Sequence, residues 1–243
     1  MTAAIVIPAR YGSSRLEGKP LKEIAGVPMI SWVARNCMKS KADRVIVVTD
    51  DQRIFDECVK IEGLEVTMSD PNLPSGTDRV AKVAQYLKTD IVINVQGDEP
   101  FIDPKLINSL IDDFKDSDAV MNTASVRIDE ETAQNPNVVK VVKDLNGYAL
   151  YFSRYPIPFY RDGDIEKRYY KHIGIYGYRR SFLKVFTSLE PSVLERSEKL
   201  EQLRVLENGY KIKVIETDYN GISVDTEEDL IAANNYAKRL ING

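Results

Sequence analysis

The sequence predicts an α/β fold, in which helices cover both faces of a doubly wound, mostly parallel sheet. Short β-branched runs at 45–49 and 91–95 are apolar almost throughout, which is typical of parallel strands that are covered on both faces. Helical patterns alternate with such runs over the first 125 residues, and this alternation favours right-handed crossovers. We therefore expect a ligand site beyond the carboxyl ends of the strands, where the strand order reverses.

In the first half of the chain, strands are expected at 3–7, 45–49, 64–68 and 91–95, and the pattern at 64–68 is the weakest. Helices are expected near 28–40, 51–61, 76–88 and 103–115. Pro28 and Pro104 lie where a helix could begin, because the first helical turn tolerates a missing N–H. Asp103 is a candidate N-cap for the helix at 103–115.

The pattern changes after about Val126, where short strands separated by turns replace the alternation. Strands are expected at 138–142, 148–152 and 172–178, an exposed loop at 155–170, a helix at 194–207, a strand at 212–217 and a closing helix at 226–240. The helix at 194–207 is expected to turn four leucines to the core: Leu194, Leu200, Leu203 and Leu206. We interpret 125–190 as a small antiparallel insertion within a single domain of 1–243. It either covers the site or forms a dimer interface.

The composition is that of an ordinary globular protein, since 43% of the 243 residues are hydrophobic and 29% are charged. No apolar run approaches the roughly 18 residues of a membrane span, so we expect no contact with a membrane. The first residues lack the layout of a signal peptide, and Cys37 and Cys58 are too few for a disulfide framework. We therefore expect a reducing cytoplasm. The net charge of −4 gives no general attraction to nucleic acid.

The loop after the first strand combines cations, hydroxyls and glycine. Arg10, Arg15 and Lys19 are spaced so that a folded-back loop could direct all three at one phosphate chain. Ser13, Ser14 and the backbone around Gly12 would add neutral donors. A solvated basic turn is the alternative. The spacing is neither that of a lysine-bearing P-loop nor that of a dinucleotide fold, so the loop predicts a phosphate site of another design.

A second polar cluster follows the strand at 91–95. Asn94, Gln96, Gly97, Asp98 and Glu99 stand where the strand ends, at the edge to which the ligand rule points. Asp98 is a hard oxygen ligand suited to Mg²⁺, which usually takes one or two protein carboxylates. The alternative is an acidic turn that opens the next helix, and Glu99 in particular could merely cap or brace it.

Asp225 opens the closing helix. It could simply be the N-cap of that helix, with Glu228 completing a capping box. It becomes a metal ligand only if the fold brings it close to Asp98, and the sequence alone does not decide between the two.

The helix at 76–88 starts with Ser75, Gly76 and Thr77, followed by Arg79. Such a start presents free N–H groups and hydroxyls that could hold a base, a ribose or a phosphate. A plain N-cap is the alternative.

Polar residues of the second half form the last candidate set: Arg154, Arg161, His172, Tyr176, Glu201 and Gln202. His172 is the only histidine, which excludes a histidine-rich metal site. A structural role for His172, and a solvated surface for Glu201 and Gln202, remain the alternatives.

Seven motifs in this chain resemble those of the 3-deoxy-manno-octulosonate cytidylyltransferases. The first is Ile-Pro-Ala-Arg-Tyr-Gly-Ser-Ser-Arg-Leu-x-Gly-Lys-Pro-Leu at 7–21. The others are Ser-Gly-Thr-Asp-Arg at 75–79, Asn-Val-Gln-Gly-Asp-Glu-Pro at 94–100, Gly-Tyr-Ala-Leu-Tyr-Phe-Ser-Arg at 147–154, Lys-His-Ile-Gly-Ile-Tyr-Gly-Tyr at 171–178, Leu-Glu-Gln-Leu-Arg at 200–204 and Val-Asp-Thr-Glu-Glu-Asp-Leu at 224–230. They run nearly end to end and in order, so the set is more specific than any one motif.

This resemblance implies a nucleotide-diphospho-sugar transferase type of fold. It also implies coupling of CTP to a 3-deoxy-octulosonic acid for lipopolysaccharide biosynthesis, with CMP-sugar and pyrophosphate as products. The implied nucleotide-binding residues are Arg10, Ser13, Arg15, Lys19, Ser75, Gly76, Thr77, Arg79, Gln96 and Asp98, of which Arg10, Lys19 and Asp98 are catalytic. Asp98 and Asp225 would carry Mg²⁺. The sugar would lie against Gln96, Arg161, His172, Tyr176, Glu201 and Gln202, with its carboxylate paired to Arg161. A homodimer formed through 125–190 is implied as well.

Two positions depart from the commonest family pattern, Glu17 in the first loop and residues 72–74 before Ser75. Neither removes a reactive group. One alternative function is a cytidylyltransferase for another sugar acid, such as a sialic acid or an 8-amino-octulosonate. A second is a non-catalytic nucleotide-binding module, which predicts the loss of Lys19, Asp98 or Asp225. All three are present.

Overall fold

The computed structural model describes residues 1–12, 15–162 and 165–242. The strands in these ranges are β1 (Ala3–Ala9), β2 (Glu23–Ile24), β3 (Val27–Pro28), β4 (Arg44–Thr49), β5 (Glu65–Met68), β6 (Ile91–Asn94), β7 (Met121–Ile128), β8 (Lys140–Lys143), β9 (Ala149–Ser153), β10 (Tyr169–Arg179) and β11 (Ile212–Glu216). The helices are α1 (Met29–Cys37), α2 (Gln52–Cys58), α3 (Gly76–Ala84), α4 (Pro104–Asp116), α5 (Glu130–Ala133), α6 (Arg180–Ser188), α7 (Val193–Glu198), α8 (Leu203–Glu207) and α9 (Glu227–Asn242), and a single 3-10 turn covers Lys19–Leu21.

The main sheet has the strand order β11-β7-β10-β6-β1-β4-β5. β1 is parallel to β4 and to β6, and β4 is parallel to β5. From β1 the chain moves outward through β4 and β5 and then returns to place β6 on the other side of β1, so the strand order reverses there. The predicted doubly wound, mostly parallel sheet is thereby confirmed. Its switch point lies at the carboxyl ends of β1 and β6.

Helices pack against both faces of this sheet, as the continuous apolar strands require. On one face, α1, α2 and α4 bury their apolar residues against β1, β4 and β6. On the other face, α3, α6 and α8 do the same. A third buried cluster joins Leu16 of the first loop to Val224, which precedes α9. This cluster brings the first loop close to the start of the last helix.

The segment 125–190 is antiparallel to its neighbours, but it is continuous with the main sheet. β8 pairs with β9 and with β10. The long strand β10 pairs with β7 and then with β6, so it lies in the middle of the main sheet. The role of this segment in dimer formation stays a prediction.

Most expected elements are found within a few residues of the expected bounds. Pro104 is the first residue of α4, after the N-cap Asp103, whose side chain accepts a hydrogen bond from the Lys105 backbone. Pro28 lies one residue before α1, in the N-cap position. β7, α5 and α6 were not expected from the sequence. In β7, Asn122, Thr123 and Ser125 are polar and yet fully buried. They interrupt the apolar pattern from which a central strand is predicted.

The prediction of a single helix at 194–207 is wrong. Lys199 adopts a left-handed backbone conformation with φ 54°, which ends α7 and separates it from α8. Leu194 is 37% exposed and does not face the core, whereas Leu200 and Leu203 are buried. Among the described residues, no helix is both long and apolar enough to cross a membrane.

Candidate active site at the switch point

A cavity of about 430 Å³ opens at the carboxyl ends of β1 and β6. The first loop, the start of α3, the turn after β6 and Asp225, two residues before α9, all reach it. Its polar lining residues are Arg10, Arg15, Lys19, Ser75, Arg79, Gln96, Asp98 and Asp225, with Gly12, Gly76 and Gly97 between them. The structure thus brings together most of the predicted nucleotide site. Ser13 lies outside the described residues.

The two loops at the switch point approach each other too closely for a side chain at Gly97. A Cβ atom there would lie 2.9 Å from the backbone oxygen of Pro8, at the end of β1. Glycine at this position therefore allows the turn that carries Gln96 and Asp98 to pack directly against the start of the first loop.

Lys19 joins the two predicted metal ligands. Its Nζ lies 2.7 Å from Asp98 Oδ2 and 2.9 Å from Asp225 Oδ1. Burial alone would lower the pKa of Lys19, but the charge and hydrogen bonds of the two carboxylates outweigh burial and raise it. The backbone N–H of Val224 donates to the backbone oxygen of Asp98 at 3.0 Å. This bond fixes the approach of two segments that are far apart in sequence.

The two carboxylates fit a hard divalent cation. Oxygens of Asp98 and Asp225 already lie around one positive charge, the Lys19 ammonium. Two carboxylates are the number that Mg²⁺ usually takes from a protein when a phosphate chain supplies further oxygens. No cluster of three or more His, Cys, Asp or Glu ligands occurs among the described residues. Asp98 and Asp225 are the residues that would hold such an ion together with a phosphate chain.

Asp225 is not the cap of the last helix. The backbone N–H groups of Asp225 and Thr226 donate to Asp229 Oδ2, and the Asp229 backbone N–H donates to Thr226 Oγ1. The predicted alternative, a cap formed by Asp225 with Glu228, is thus wrong. The Asp225 side chain is left to pair with Lys19 and, at 3.3 Å, with Arg15.

The start of α3 is both an N-cap and a wall of the cavity. Ser75 caps the helix, in a reciprocal capping box with Asp78. The hydroxyls of Ser75 and Thr77 also donate to Glu201, at 3.2 and 2.7 Å. Thr77 is buried and does not line the cavity, so its hydroxyl tethers α3 to the segment before α8.

Arg79 is a buried brace that also reaches the cavity. Its Nη2 lies 2.7 Å from Asp50 Oδ2, and its guanidinium donates to the backbone oxygens of Pro71 and Leu73. Asp50 Oδ1 accepts in turn from the Tyr11 backbone N–H. This ion pair therefore ties the first loop to the segment before α3. Arg79 Nε is buried without a partner among the described residues.

A second cavity, of about 520 Å³, adjoins the first at Asp225, which lines both. His172, Tyr176 and Gln202 of the predicted sugar set line it, together with residues of 137–139 and 221–223. Gln202 is buried, and its Nε2 has no partner among the described residues. Arg161 is exposed and lines neither cavity. Glu201 binds Ser75 and Thr77 instead of lining the second cavity.

Burial controls the charges around the second cavity. It lowers the pKa of His172 to about 3, with a further decrease from Lys171, so the imidazole is neutral. Burial, followed by the Asp98 charge, raises the pKa of Glu99 to about 7. The hydroxyl of Tyr219 donates to Glu99 Oε2 at 3.3 Å. The cavity therefore combines a neutral imidazole with ionisable groups, which are Glu99, Lys171, Asp225 and Asp229.

Comparisons with known proteins agree with this geometry. The sequence matches the cytidylyltransferase family over residues 4–212. It is 50% identical over 237 residues to a 3-deoxy-manno-octulosonate cytidylyltransferase of Fusobacterium nucleatum subsp. nucleatum, covering 96% of each chain. A similar enzyme of Geotalea daltonii is 48% identical, with 95% of this chain and 96% of the relative covered.

A solved CMP:2-keto-3-deoxy-manno-octonic acid synthetase complexed with CTP superposes with a TM-score of 0.95 at 40% identity, covering 98% of this chain and 99% of that one. This chain belongs to the 3-deoxy-manno-octulosonate cytidylyltransferase family. A 4-diphosphocytidyl-2C-methyl-D-erythritol synthase of Anaerococcus prevotii shares the fold alone, with a TM-score of 0.64 at 17% identity over 98% of this chain and 96% of that one.

As a member of the 3-deoxy-manno-octulosonate cytidylyltransferase family, the chain is a nucleotidyltransferase. The predicted alternative of a non-catalytic nucleotide-binding module is therefore wrong. This conclusion agrees with the presence of Lys19, Asp98 and Asp225 in one cluster.

Several residues of this cytidylyltransferase site were missed from the sequence. Asp50 follows β4 at the same sheet edge as Arg10 and Asp98, a position that could have drawn attention to it. Lys171 is the one lysine or arginine among the described residues that line the second cavity. Arg154, by contrast, donates to the backbone oxygens of Glu198 and Pro136 and so supports the loop structure.

Proposed function

We propose that this chain couples CTP to 3-deoxy-manno-octulosonate, forming the CMP-sugar and releasing pyrophosphate, as a step of lipopolysaccharide biosynthesis. The observation that carries this proposal is that Asp225 lines both cavities. A triphosphate in the first cavity and a sugar acid in the second would meet at the Asp98–Asp225 pair. A phosphoryl transfer between two bound substrates requires such a shared boundary.

The chain's own cations support binding of the triphosphate in the first cavity. Arg10, Arg15 and Lys19 supply positive charge on one side, and the start of α3 supplies backbone N–H groups on the other. We assign the nucleotide base and ribose to the α3 side. There Gly76 leaves room for a close approach, and Arg79 holds the neighbouring segment through its bonds to Pro71 and Leu73.

We further propose that Asp98 and Asp225 hold Mg²⁺ together with the nucleotide. When bound, this ion polarises the phosphoryl oxygens and offsets their negative charge. Lys19 holds both carboxylates close together in the free enzyme.

In the proposed reaction, the anomeric hydroxyl of the sugar acid attacks the α-phosphorus in line. A bond forms between the sugar oxygen and phosphorus, and the hydroxyl proton is released to the solvent. The bond from that phosphorus to the bridging oxygen breaks, and pyrophosphate carries away the electron pair. Little covalent chemistry is asked of the protein, so positioning and electrostatics dominate. Arg10 and Lys19 are placed to stabilise the charge that develops on the departing pyrophosphate.

The test is pyrophosphate release with each of CTP, UTP, ATP and GTP against a panel of sugar acids. The panel contains 3-deoxy-manno-octulosonate, its 8-amino analogue and a sialic acid. We expect release with CTP only, fastest with 3-deoxy-manno-octulosonate, and abolished by a chelator until Mg²⁺ is restored. Turnover that survives chelation would contradict the metal assignment, and absence of release with every sugar acid would contradict the function.

We also propose that the enzyme works in the cytoplasm as a homodimer. Cys37 and Cys58 are free, buried thiols, which suits a reducing compartment. Tyr155 and Phe159 in the 125–190 segment are 76% and 85% exposed, and exposed aromatic side chains are typical of an interface. Sedimentation of the wild type and of the Phe159→Ser variant tests this. We expect a dimer that the substitution weakens, and a monomeric wild type would contradict it.

A further inference from the structure

The hydroxyl of Thr123, in the central strand β7, contacts three atoms that can each accept a hydrogen bond. Its Oγ1 lies 2.7 Å from the backbone oxygen of Ile175, 3.1 Å from that of Ile173 and 3.0 Å from His172 Nε2. β10 changes register against β7 between Ile173 and Tyr176. This irregularity turns both carbonyls toward one side chain.

The number of available protons fixes the direction of two of these contacts, those with the Ile175 oxygen and with His172. A carbonyl oxygen carries no proton, so two oxygens 2.7 Å apart require the threonine proton between them. Thr123 has only that one proton, and it is committed to the Ile175 carbonyl. The contact with His172 is therefore favourable only when Nε2 carries a hydrogen and donates it to Oγ1. In the neutral imidazole, Nδ1 then has the free lone pair.

That free lone pair faces the second cavity. His172 lines the cavity, and Nδ1 forms no hydrogen bond with any described residue. Nδ1 is not fully enclosed by protein atoms, and because His172 lines the cavity, Nδ1 is open to it. The ring itself is held by edge contacts with Phe152, with the ring centroids 5.0 Å apart. Burial keeps the pKa of His172 far below neutrality, at about 3, so Nδ1 does not become a donor.

We propose that Thr123 is a positioning residue that holds His172 as the Nε2–H tautomer, so that Nδ1 accepts a hydrogen bond from a hydroxyl of the sugar acid. The identity of that ligand rests on the function proposed above. A carbonyl, an ether oxygen or a carboxylate in the same place would face the Nδ1 lone pair and be repelled. The pair therefore selects for a hydroxyl at one position of the sugar, while the carboxylate must bind elsewhere.

The tautomer is measured directly, without turnover, because the chain contains a single histidine. Nitrogen NMR of the protein with isotope-labelled histidine shows which ring nitrogen carries the hydrogen at neutral pH. We expect a protonated Nε2 and an unprotonated Nδ1 in the free enzyme, and a shift of the Nδ1 resonance alone when 3-deoxy-manno-octulosonate is added. A protonated Nδ1, or a charged imidazole, would overturn the proposal.

Two substitutions of Thr123 separate the hydroxyl from the shape of the side chain. Thr123→Val keeps the branched shape and removes the hydroxyl, whereas Thr123→Ser keeps the hydroxyl. With Thr123→Val we expect the Nε2–H tautomer to become the minor form and the KM for the sugar acid to rise about fivefold to tenfold, because only that form accepts the hydrogen bond. The KM for CTP should stay unchanged, and Thr123→Ser should restore both properties.

The matched control is Thr187→Val, since the Thr187 hydroxyl donates to the backbone of α6 away from both cavities. It should change neither the tautomer nor either KM. A Thr123→Val enzyme that loses the tautomer but keeps the wild-type KM for the sugar acid would overturn the specificity role. If no sugar acid is a substrate at all, the proposed function fails, yet the spectrum of the free enzyme still decides whether Thr123 sets the tautomer.

Discussion

At the residue scale, the Asp98 carboxylate has two neighbours that define its role. Lys19 binds it in the free enzyme, and Asp225 lies on the other side of the same ammonium. Asp98 does not cap α4, a role that belongs to Asp103, so the start of that helix does not account for its charge. In the proposed function, that charge serves a cation that arrives with the nucleotide.

Substituting Asp98→Asn keeps the shape and removes the charge. We expect kcat to fall on the order of a thousandfold, as when one electrostatic contact to a transition state is removed, while CTP still binds weakly through the cations of the first loop. Steady-state kinetics at saturating Mg²⁺ and calorimetric CTP binding check this. Asp116→Asn, at the exposed end of α4, is the control and should behave as wild type. Near-normal turnover in Asp98→Asn would refute the metal role.

The Asp50–Arg79 pair gives a second prediction. The Arg79 and Asp50 side chains are only 3% and 13% exposed, so Asp50→Asn leaves a buried guanidinium without its counter-charge. We expect a loss of about 3 kcal/mol in the free energy of unfolding and a raised KM for CTP, because Asp50 also holds the Tyr11 backbone.

The matched control for that pair is on the surface. Arg44 and Glu65 form an ion pair with side chains 40% and 46% exposed, and Glu65→Gln should cost less than about 1 kcal/mol. Urea unfolding of both variants measures the difference. Equal losses would mean that the Asp50–Arg79 pair does not brace the site.

The sequence was enough to single out Asp98, Asp225 and the cations of the first loop as candidate site residues. Each of them follows a recognisable strand or lies at the start of a helix. Thr123 and Lys171 were not predicted, because their roles come from contacts across β7 and β10. Thr123 meets residues about fifty positions away, and a polar residue in an unrecognised strand carries no local signal. Arg161 was assigned by resemblance alone, and its place in the sugar site stays a prediction.

At the element scale, the close approach of β1 and the turn after β6 is the feature that assembles the site. Arg10 follows one of these strands and Asp98 the other. In Gly97→Ala, the added Cβ would lie only 2.9 Å from the Pro8 backbone oxygen. Because neither atom belongs to a flexible side chain, the backbone would have to move.

We expect Gly97→Ala to destabilise the fold by about 1–3 kcal/mol and to lower kcat/KM on the order of a hundredfold, since small displacements of reacting groups have large effects. Thermal unfolding and kinetics measure the two effects. For stability, Gly174→Ala is the control, because nothing lies within 4 Å of its added Cβ, and it should stay near wild type. An unchanged kcat/KM in Gly97→Ala would show that the two loops need not approach so closely.

The parallel half of the sheet was predictable because its strands are apolar throughout and its helices have clear starts. β7 was not, because three of its buried residues are polar. The Asn122 amide donates to the Leu110 backbone oxygen, whereas the Ser125 hydroxyl has no partner among the described residues. The break between α7 and α8 depends on the left-handed backbone conformation of Lys199. The residue type does not predict this conformation.

At the scale of the whole molecule, the buried His172 links acid stability to the second cavity. The folded pKa of about 3 lies below the ordinary value of 6.5. As the pH falls below 6.5, His172 binds a proton in the unfolded chain but not in the folded chain. The free energy of unfolding therefore decreases. The slope approaches about 1.4 kcal/mol per pH unit for one proton, and it persists until the folded histidine itself titrates.

The comparison that isolates this effect is wild type against His172→Gln, because the variant then contains no histidine. Carboxyl groups such as Glu99, whose raised pKa of about 7 acts in the opposite direction, are common to both chains and cancel in the difference. Between pH 6 and pH 5, we expect wild type to lose about 1 kcal/mol more than the variant in urea unfolding. Equal slopes would mean that the folded His172 takes up a proton over the same pH range as the unfolded one. Its Nδ1 would then carry a hydrogen at pH 5–6 and could not accept one from a sugar hydroxyl there.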